Sequence, residues 1–211
     1  MINFPRSLIE GHRAFLGGRF AAEQDRYREL AATGQSPTIM VIGCVDSRVS
    51  PEVIFDAAPG EILVARNVAN LVPPYEPEGP TQHGTSAALE FAVRALAVRH
   101  IVILGHAFCG GIKAFASGDA PLTESDFIGK WMRQIAPAAE AISASRDRNE
   151  YLHRLEFASV ELSLKNLMTF PFVAAAVGRG ELQLHGAYFG VASGRLLVRD
   201  PVTGSFEPVA D

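Results

Sequence analysis

Two apolar runs in this chain end on residues that can do chemistry. The first, Ile39-Met40-Val41-Ile42, stops at Gly43 and delivers a thiol, a carboxyl and a guanidinium in quick succession at Cys44, Asp46 and Arg48. Four consecutive apolar residues closed by glycine read as a buried strand that surfaces at its carboxyl end. The second run, Ile101-Val102-Ile103-Leu104, stops at Gly105 and delivers His106 and then Cys109, the only other thiol. Two thiolates and an imidazole with a fourth position open are a ligand set for catalytic zinc, whereas a structural site recruits a fourth protein ligand. The chain has no third cysteine to give. His106-x-x-Cys109 alone reads equally well as core packing; Cys44 at a matching strand end is what points to a metal.

Asp46 and Arg48 extend the constellation. Residues two apart on an extended segment face the same side, so Asp46 looks toward whatever Cys44 binds, and Arg48 can pair with it. The ordinary reading of that pair is a surface ion pair of little consequence. Zinc with two thiolates and a neutral imidazole carries no net charge, yet it makes water a nucleophile, though less strongly than a three-histidine site would. Asp46, kept off the metal by Arg48, can accept that nucleophile's hydrogen bond and aim it at an electrophile.

The elements that must position these residues are legible in outline. At 211 residues the chain fits one domain, 1–211, divided into a helical arm over 1–34 and an α/β core over 35–200. Apolar positions between Leu8 and Ala32, broken at Gly17-Gly18, predict two amphipathic helices that cover either a partner subunit or their own domain. A short helix from Pro51 to Asp56 precedes a second strand, Ile62–Ala65, which ends at Arg66-Asn67-Val68-Ala69-Asn70. The proline-rich run from Pro73 to Pro80 predicts a loop. Thr85-Ser86 predicts the cap of a helix reaching Val98, with Glu90 favouring its positive end, and this helix makes the right-handed crossover to the third strand.

Gly110-Gly111 opens a short helix through Phe115, and further helices are predicted over Phe127–Ser143 with a kink at Pro137, Tyr151–Phe170 and Phe172–Val177. Glu181–Phe189 and Leu196–Val198 alternate as a closing β-hairpin. The fold class is therefore α/β, a mostly parallel central sheet flanked by helices. In such sheets ligands bind beyond the carboxyl ends of the strands where strand order switches.

Composition narrows the partners. With 48% hydrophobic and 20% charged residues the chain is globular, and a net charge of −4 without a basic run gives no case for nucleic acid. No apolar run approaches membrane-spanning length, and Met1-Ile2-Asn3-Phe4-Pro5-Arg6 does not read as a secretory signal. A cytoplasmic protein with two reduced thiols is the expectation.

The chain resembles the β-class carbonic anhydrases. Cys44-Val45-Asp46-Ser47-Arg48, Pro59-Gly60-Glu61, Arg66-Asn67-Val68-Ala69-Asn70, Gly105-His106-x-x-Cys109-Gly110-Gly111 and Leu184-His185-Gly186 carry that resemblance, in the family's order and spacing. It implies one Zn²⁺ on Cys44, His106 and Cys109, the catalytic dyad Asp46–Arg48, and reversible hydration of carbon dioxide to bicarbonate. It further implies a homodimer or homotetramer whose sites lie at a subunit interface. Members with an inhibitory bicarbonate site use a Trp, an Arg and a Tyr where this chain has Val41, Arg66 and Phe189, so the resemblance is to the plant-like form with zinc open to water. Those members line the substrate pocket with a Gln, a Phe, a Val and a Tyr; the matching positions are Gln35, Leu63, Val68 and Phe91. Two alternatives stay open from the residues: a hydrolase of carbon disulfide or carbonyl sulfide on the same fold, and a non-catalytic zinc-binding or redox module in which Asp46 ligates the metal. No proton shuttle is named beyond His83, a candidate as a loop histidine.

Overall fold

The computed structural model describes residues 4–77, 83–143 and 145–209. The chain divides into two compact units, residues 1–36 and 37–211. In the first, helices α1 (Arg6–Gly17) and α2 (Arg19–Thr33) meet at Gly18, at the break that Gly17-Gly18 predicts. Phe15, Phe20 and Tyr27 hold them together, with ring centroids 5.2–6.1 Å apart. Neither helix buries a residue fully, and Phe4, Leu8 and Leu16 stay exposed.

The second unit is built on a six-stranded sheet of order β2-β1-β3-β4-β5-β6. Strands β1 (Ile39–Cys44), β2 (Ile62–Asn67), β3 (His100–His106) and β4 (Gln183–Phe189) are parallel; β5 (Leu196–Arg199) and β6 (Phe206–Pro208) run antiparallel. The unbroken apolar runs of β1 and β3 belong to interior strands, as burial on both faces requires. The chain passes from β1 to β2 on one side and returns to β3 on the other, so strand order switches between β1 and β3, beside Cys44 and His106.

Seven helices accompany the sheet among the described residues: α3 (Pro51–Ile54), α4 (Gly84–Glu90), α5 (Gly110–Ser117), α6 (Phe127–Met132), α7 (Ala136–Ala141), α8 (Arg148–Leu167) and α9 (Pro171–Gly178). Met40, Ile42, Ile101 and Ile103 on one sheet face pack with Leu89 of α4, Val160 and Leu167 of α8 and Val173 of α9. Helix α8 lies close to the sheet because Gly105 and Gly186 have no side chain: a Cβ at Gly105 would sit 2.6 Å from Val160 Cγ2, and one at Gly186 3.1 Å from Val160 Cγ1. A separate cluster closes the carboxyl end of the sheet, where Cys44, Val49, Ala69, Cys109, Ile112, Met132 and Leu155 are buried together.

Several boundaries differ from the sequence expectation. The cap of α4 is His83, whose Nδ1 accepts the Ser86 amide, not Thr85 or Ser86. Glu90 is the last residue of α4 and so lies away from the positive end. The helix then widens over Phe91–Ala95, where the Leu96 amide reaches back to the Phe91 carbonyl, and it stops before Val98. The predicted helix 127–143 is three pieces, and Pro137 sits in the first turn of α7, where its missing N–H costs no hydrogen bond. Asp147 caps α8, two of whose amides bond its Oδ1, so the helix begins at Arg148, three residues ahead of the predicted start at Tyr151. The C-terminal hairpin gains a third strand, β6, for which three residues give no readable alternation. The proline-rich loop is irregular through Pro77; Glu78, Gly79 and Pro80 lie outside the described residues.

Candidate metal centre and active site

Cys44 ends β1, His106 ends β3, and Cys109 is the residue from which α5 departs. The ligand atoms of the three lie within 4.8 Å of one another, and all three residues are buried. To bring Cys109 back toward His106 the connecting loop places Phe108 at φ 59°, a left-handed conformation that costs a non-glycine residue energy. His106 Nδ1 lies 2.9 Å from the Ala107 carbonyl, which can only accept; Nδ1 therefore carries the proton. That leaves the lone pair of the neutral ring on Nε2, which is buried and has no hydrogen-bond partner among the described residues. A buried nitrogen lone pair facing two thiols fits a thiophilic divalent cation such as zinc.

The electrostatics agree with the donor set. The Cys44 thiol is held well below its ordinary value by a hydrogen bond from Cys109 and by His106, against the opposing effect of burial; the Ala69 amide, 3.4 Å away, adds to this. Cys109 is pushed up by that same bond and by burial. Burial opposes a charged His106, but the neighbouring Cys44 thiolate outweighs it and raises its pKa. Cys44 is thus the anion of the set, its charge met by the Cys109 thiol proton and by His106, the place a divalent cation would take.

Asp46 stands beside this set and outside it. Arg48 donates to both its oxygens, Nε to Oδ1 at 2.9 Å and Nη2 to Oδ2 at 2.7 Å, and its backbone amide adds a third bond at 3.0 Å. This pairing holds the Asp46 carboxyl well below the usual carboxylate range. Arg48 Nη2 also reaches the Phe108 carbonyl at 3.1 Å, tying the carboxylate to the loop between His106 and Cys109. Arg66 donates to the carbonyls of Cys44 and Asp46, each at 2.7 Å, and fixes the segment that carries both.

The turn after β2 supplies the amide for Cys44. Ala69 and Asn70 both have positive φ, and neither is glycine, so other bonds must hold them there. The Asn67 side chain spans the turn, donating to the Leu71 carbonyl and accepting its amide, both at 2.8 Å. From α8, Ser163 and Asn166 bond to Asn70 and Val72. Nothing in the sequence near Cys44 announces these contacts, which join residues more than ninety positions apart.

Of the four expected pocket residues, Val68 alone packs into the cluster that contains Cys44 and Cys109, where its carbonyl accepts Trp131 Nε1 at 2.8 Å. Leu63 packs into the helix-covered core, Phe91 is 46% exposed, and Gln35 belongs to the N-terminal unit. His83, with Nδ1 engaged by Ser86, stacks loosely on Trp131 at 6.4 Å. Two residues of the site escape the sequence reading altogether: Glu156, buried on α8, accepts the Cys109 amide at 3.1 Å, and Tyr188 of β4 donates its hydroxyl to the same carboxyl at 2.6 Å. The trace they leave is an acidic residue within the buried face formed by Leu155, Ser159, Val160 and Ser163.

A Cys₂His cluster able to hold a metal ion, at the switch point of a mostly parallel α/β sheet and with a clamped carboxylate beside it, places the chain among α/β proteins with a candidate metal centre. The comparisons give the family. The Carbonic anhydrase family profile matches residues 39–196. The carbonic anhydrase of Pseudomonas aeruginosa is 36% identical, over 98% of this chain and 92% of that protein. The chloroplastic beta carbonic anhydrase 5 of Arabidopsis thaliana is also 36% identical, over 83% of this chain, which spans 58% of that protein's length. The solved beta-carbonic anhydrase CcaA superposes with a TM-score of 0.86 at 29% identity, over 97% and 98% of the two chains. One of two tetrameric beta-carbonic anhydrases of Sordaria macrospora gives 0.79 at 31%, again over 97% and 98%. This chain belongs to the carbonic anhydrase family and has the fold of its β-class.

Proposed function

We propose that this protein binds one Zn²⁺ per chain through Cys44, His106 and Cys109 and hydrates carbon dioxide reversibly to bicarbonate and a proton. The observation that carries the reading is the unpartnered, buried Nε2 of His106 within 4.8 Å of two thiols. When bound, zinc supplies Lewis acidity that makes water nucleophilic near neutral pH. The chain's own residues do the rest. Asp46 accepts the hydrogen bond of the attacking water and fixes the direction of its lone pair; Arg48 keeps that carboxylate ionised and aimed; Val68 gives the apolar gas a dry wall. The bicarbonate formed is released beside Arg48, and the proton leaves to solvent.

The form we infer is the open one, with Asp46 off the metal. Arg48 occupies both carboxylate oxygens, Arg66 is committed to two carbonyls, and Val41 and Phe189 stand where an inhibitory bicarbonate site would need Trp and Tyr. The pocket is completed between subunits: Leu63 and Phe91 pack away from the ligand cluster of their own chain, and a second copy contributes them, with Gln35, in a homodimer or homotetramer. Two reduced thiols as ligands suit a cytoplasmic setting. Stopped-flow hydration of carbon dioxide, run beside zinc analysis, tests the reading: parent protein holds about one zinc and is active, and Cys44→Ser holds none and is inactive. A Cys44→Ser variant that keeps its zinc after dialysis would sink the metal assignment. In the open form kcat/KM rises with pH through a single ionisation; a steep multi-proton loss with bicarbonate inhibition would assign the closed form instead.

A further inference from the structure

We infer that Glu156 is a positioning residue for the metal centre, holding the Cys109 loop in its ligating conformation, with Tyr188 fixing the carboxyl in turn; this rests on the zinc reading above. Glu156 is 5% exposed, in the middle of α8, and makes no ion pair among the described residues. A carboxyl is expensive to bury without a cation, so its hydrogen bonds must account for its presence. There are two. Oε1 accepts the Cys109 amide at 3.1 Å and Oε2 accepts the Tyr188 hydroxyl at 2.6 Å. Tyr188 is itself 3% exposed, and the ring of Phe157 stacks on it at 4.4 Å.

What needs holding is the turn from His106 to Cys109. Its left-handed Phe108, at φ 59°, is a conformation that relaxes unless the neighbours fix it. Three bonds do so. The Ala107 amide pairs with the Phe189 carbonyl at 2.9 Å, the Phe108 carbonyl accepts Arg48 at 3.1 Å, and the Cys109 amide meets Glu156. The first two act upstream of Cys109; Glu156 alone of the three grips the residue whose sulfur must face His106. The grip is possible because Gly105 and Gly186 bring α8 against β3 and β4, one turn of α8 from Glu156 at Val160. Removing the acceptor frees the Cys109 amide and lets the loop relax, which carries the thiol away from the other two ligands.

Zinc-loaded parent, Glu156→Ala, Glu156→Gln and Tyr188→Phe are compared by the rate of zinc release to a chromogenic chelator and, after cobalt substitution, by the intensity of thiolate-to-cobalt absorption. Glu156→Ala is expected to release zinc about tenfold faster or more and to weaken the cobalt–thiolate band. Glu156→Gln keeps an oxygen for the Cys109 amide and stays within about twofold of parent, a rescue that simple loss of core packing would not predict. Tyr188→Phe falls between them. Parent-like zinc release in Glu156→Ala, or a Gln variant as impaired as the Ala variant, overturns the inference. If Glu156→Ala does not fold, Tyr188→Phe decides: a parent-like rate and spectrum there overturn it as well. A parent protein that takes up no zinc instead removes the metal reading, and this inference with it.

Discussion

Strand β3 has a histidine at each end, and the two could hardly be used more differently. At its carboxyl end His106 is 1% exposed, its Nε2 has no hydrogen-bond partner among the described residues, and the thiols of Cys44 and Cys109 face it. At its amino end His100 lies against His185 of β4, Nδ1 to Nε2, at 3.1 Å. One of those rings donates and the other accepts, so the pair is satisfied with no third group. The shifts run in opposite directions: Cys44 raises His106 despite burial, whereas burial and the charge of His100 lower His185. Residue type and strand are shared; what makes a ligand is a buried lone pair left over after the local hydrogen bonds are counted, together with anionic neighbours.

The sharpest way to break this comparison is to exchange the outcome at the two ends. His106→Gln should strip zinc, from about one per chain to almost none, while His185→Gln should leave it unchanged. Atomic emission on dialysed protein reads both. Loss of zinc in the His185 variant would mean that the amino-end pair also takes part in binding.

Next in size is Asp46, to which the proposed function assigns the aiming of the attacking water. Asp46→Asn should retain zinc and lose about 10²- to 10³-fold in kcat/KM, because the acceptor that aims the attacking water becomes partly a donor. Stopped-flow rates with matched zinc content check it, and a parent-like rate would leave Asp46 and Arg48 as the ordinary ion pair they resemble in sequence.

The carboxyl end of the sheet was legible because its signals are local. A short apolar run closed by glycine marks a strand end on its own, and two such runs carrying Cys44 and His106 need only the adjacency of β1 and β3, which the register Gly43↔Leu104 supplies. Asp46 and Arg48 do pair, but through a turn in which the Val49 amide bonds the Asp46 carbonyl, not through the alternation of an extended segment, since the strand ends at Cys44. What was not legible depends on packing at long range. Glu156 reads as one more surface charge until α8 is laid on Gly105 and Gly186. The Ala69 amide reaches Cys44 only because Asn67, Ser163 and Asn166 force two residues into left-handed conformations. His83 looked like a loop residue because an imidazole cap leaves none of the Ser or Thr signature that capping rules read. Phe91 and Leu63 could be matched to a pocket by position, but their own chain turns one to solvent and the other into a different core.

The smallest expected effect tests the amino-end pair itself. His185 is half-buried and its folded pKa is depressed, first by burial and then by His100, so folding favours its neutral form. For a depressed group the stabilising contribution is whole above the unfolded value, about 6.5 for histidine, and is lost as pH falls through the folded value. The zinc-loaded protein should therefore lose thermal stability between roughly pH 7 and pH 5 in part through this pair. His185→Gln removes one titrating ring while keeping a group able to bond His100, and it should flatten that decline by a few degrees in Tm without changing zinc content. The loaded state matters, because in metal-free protein the raised His106 contributes with the opposite sign and would mask the slope. Melting curves of parent and variant at both pH values decide it: equal losses would show that the two imidazoles are indifferent to protonation, and that the contrast between the ends of β3 is one of metal binding alone.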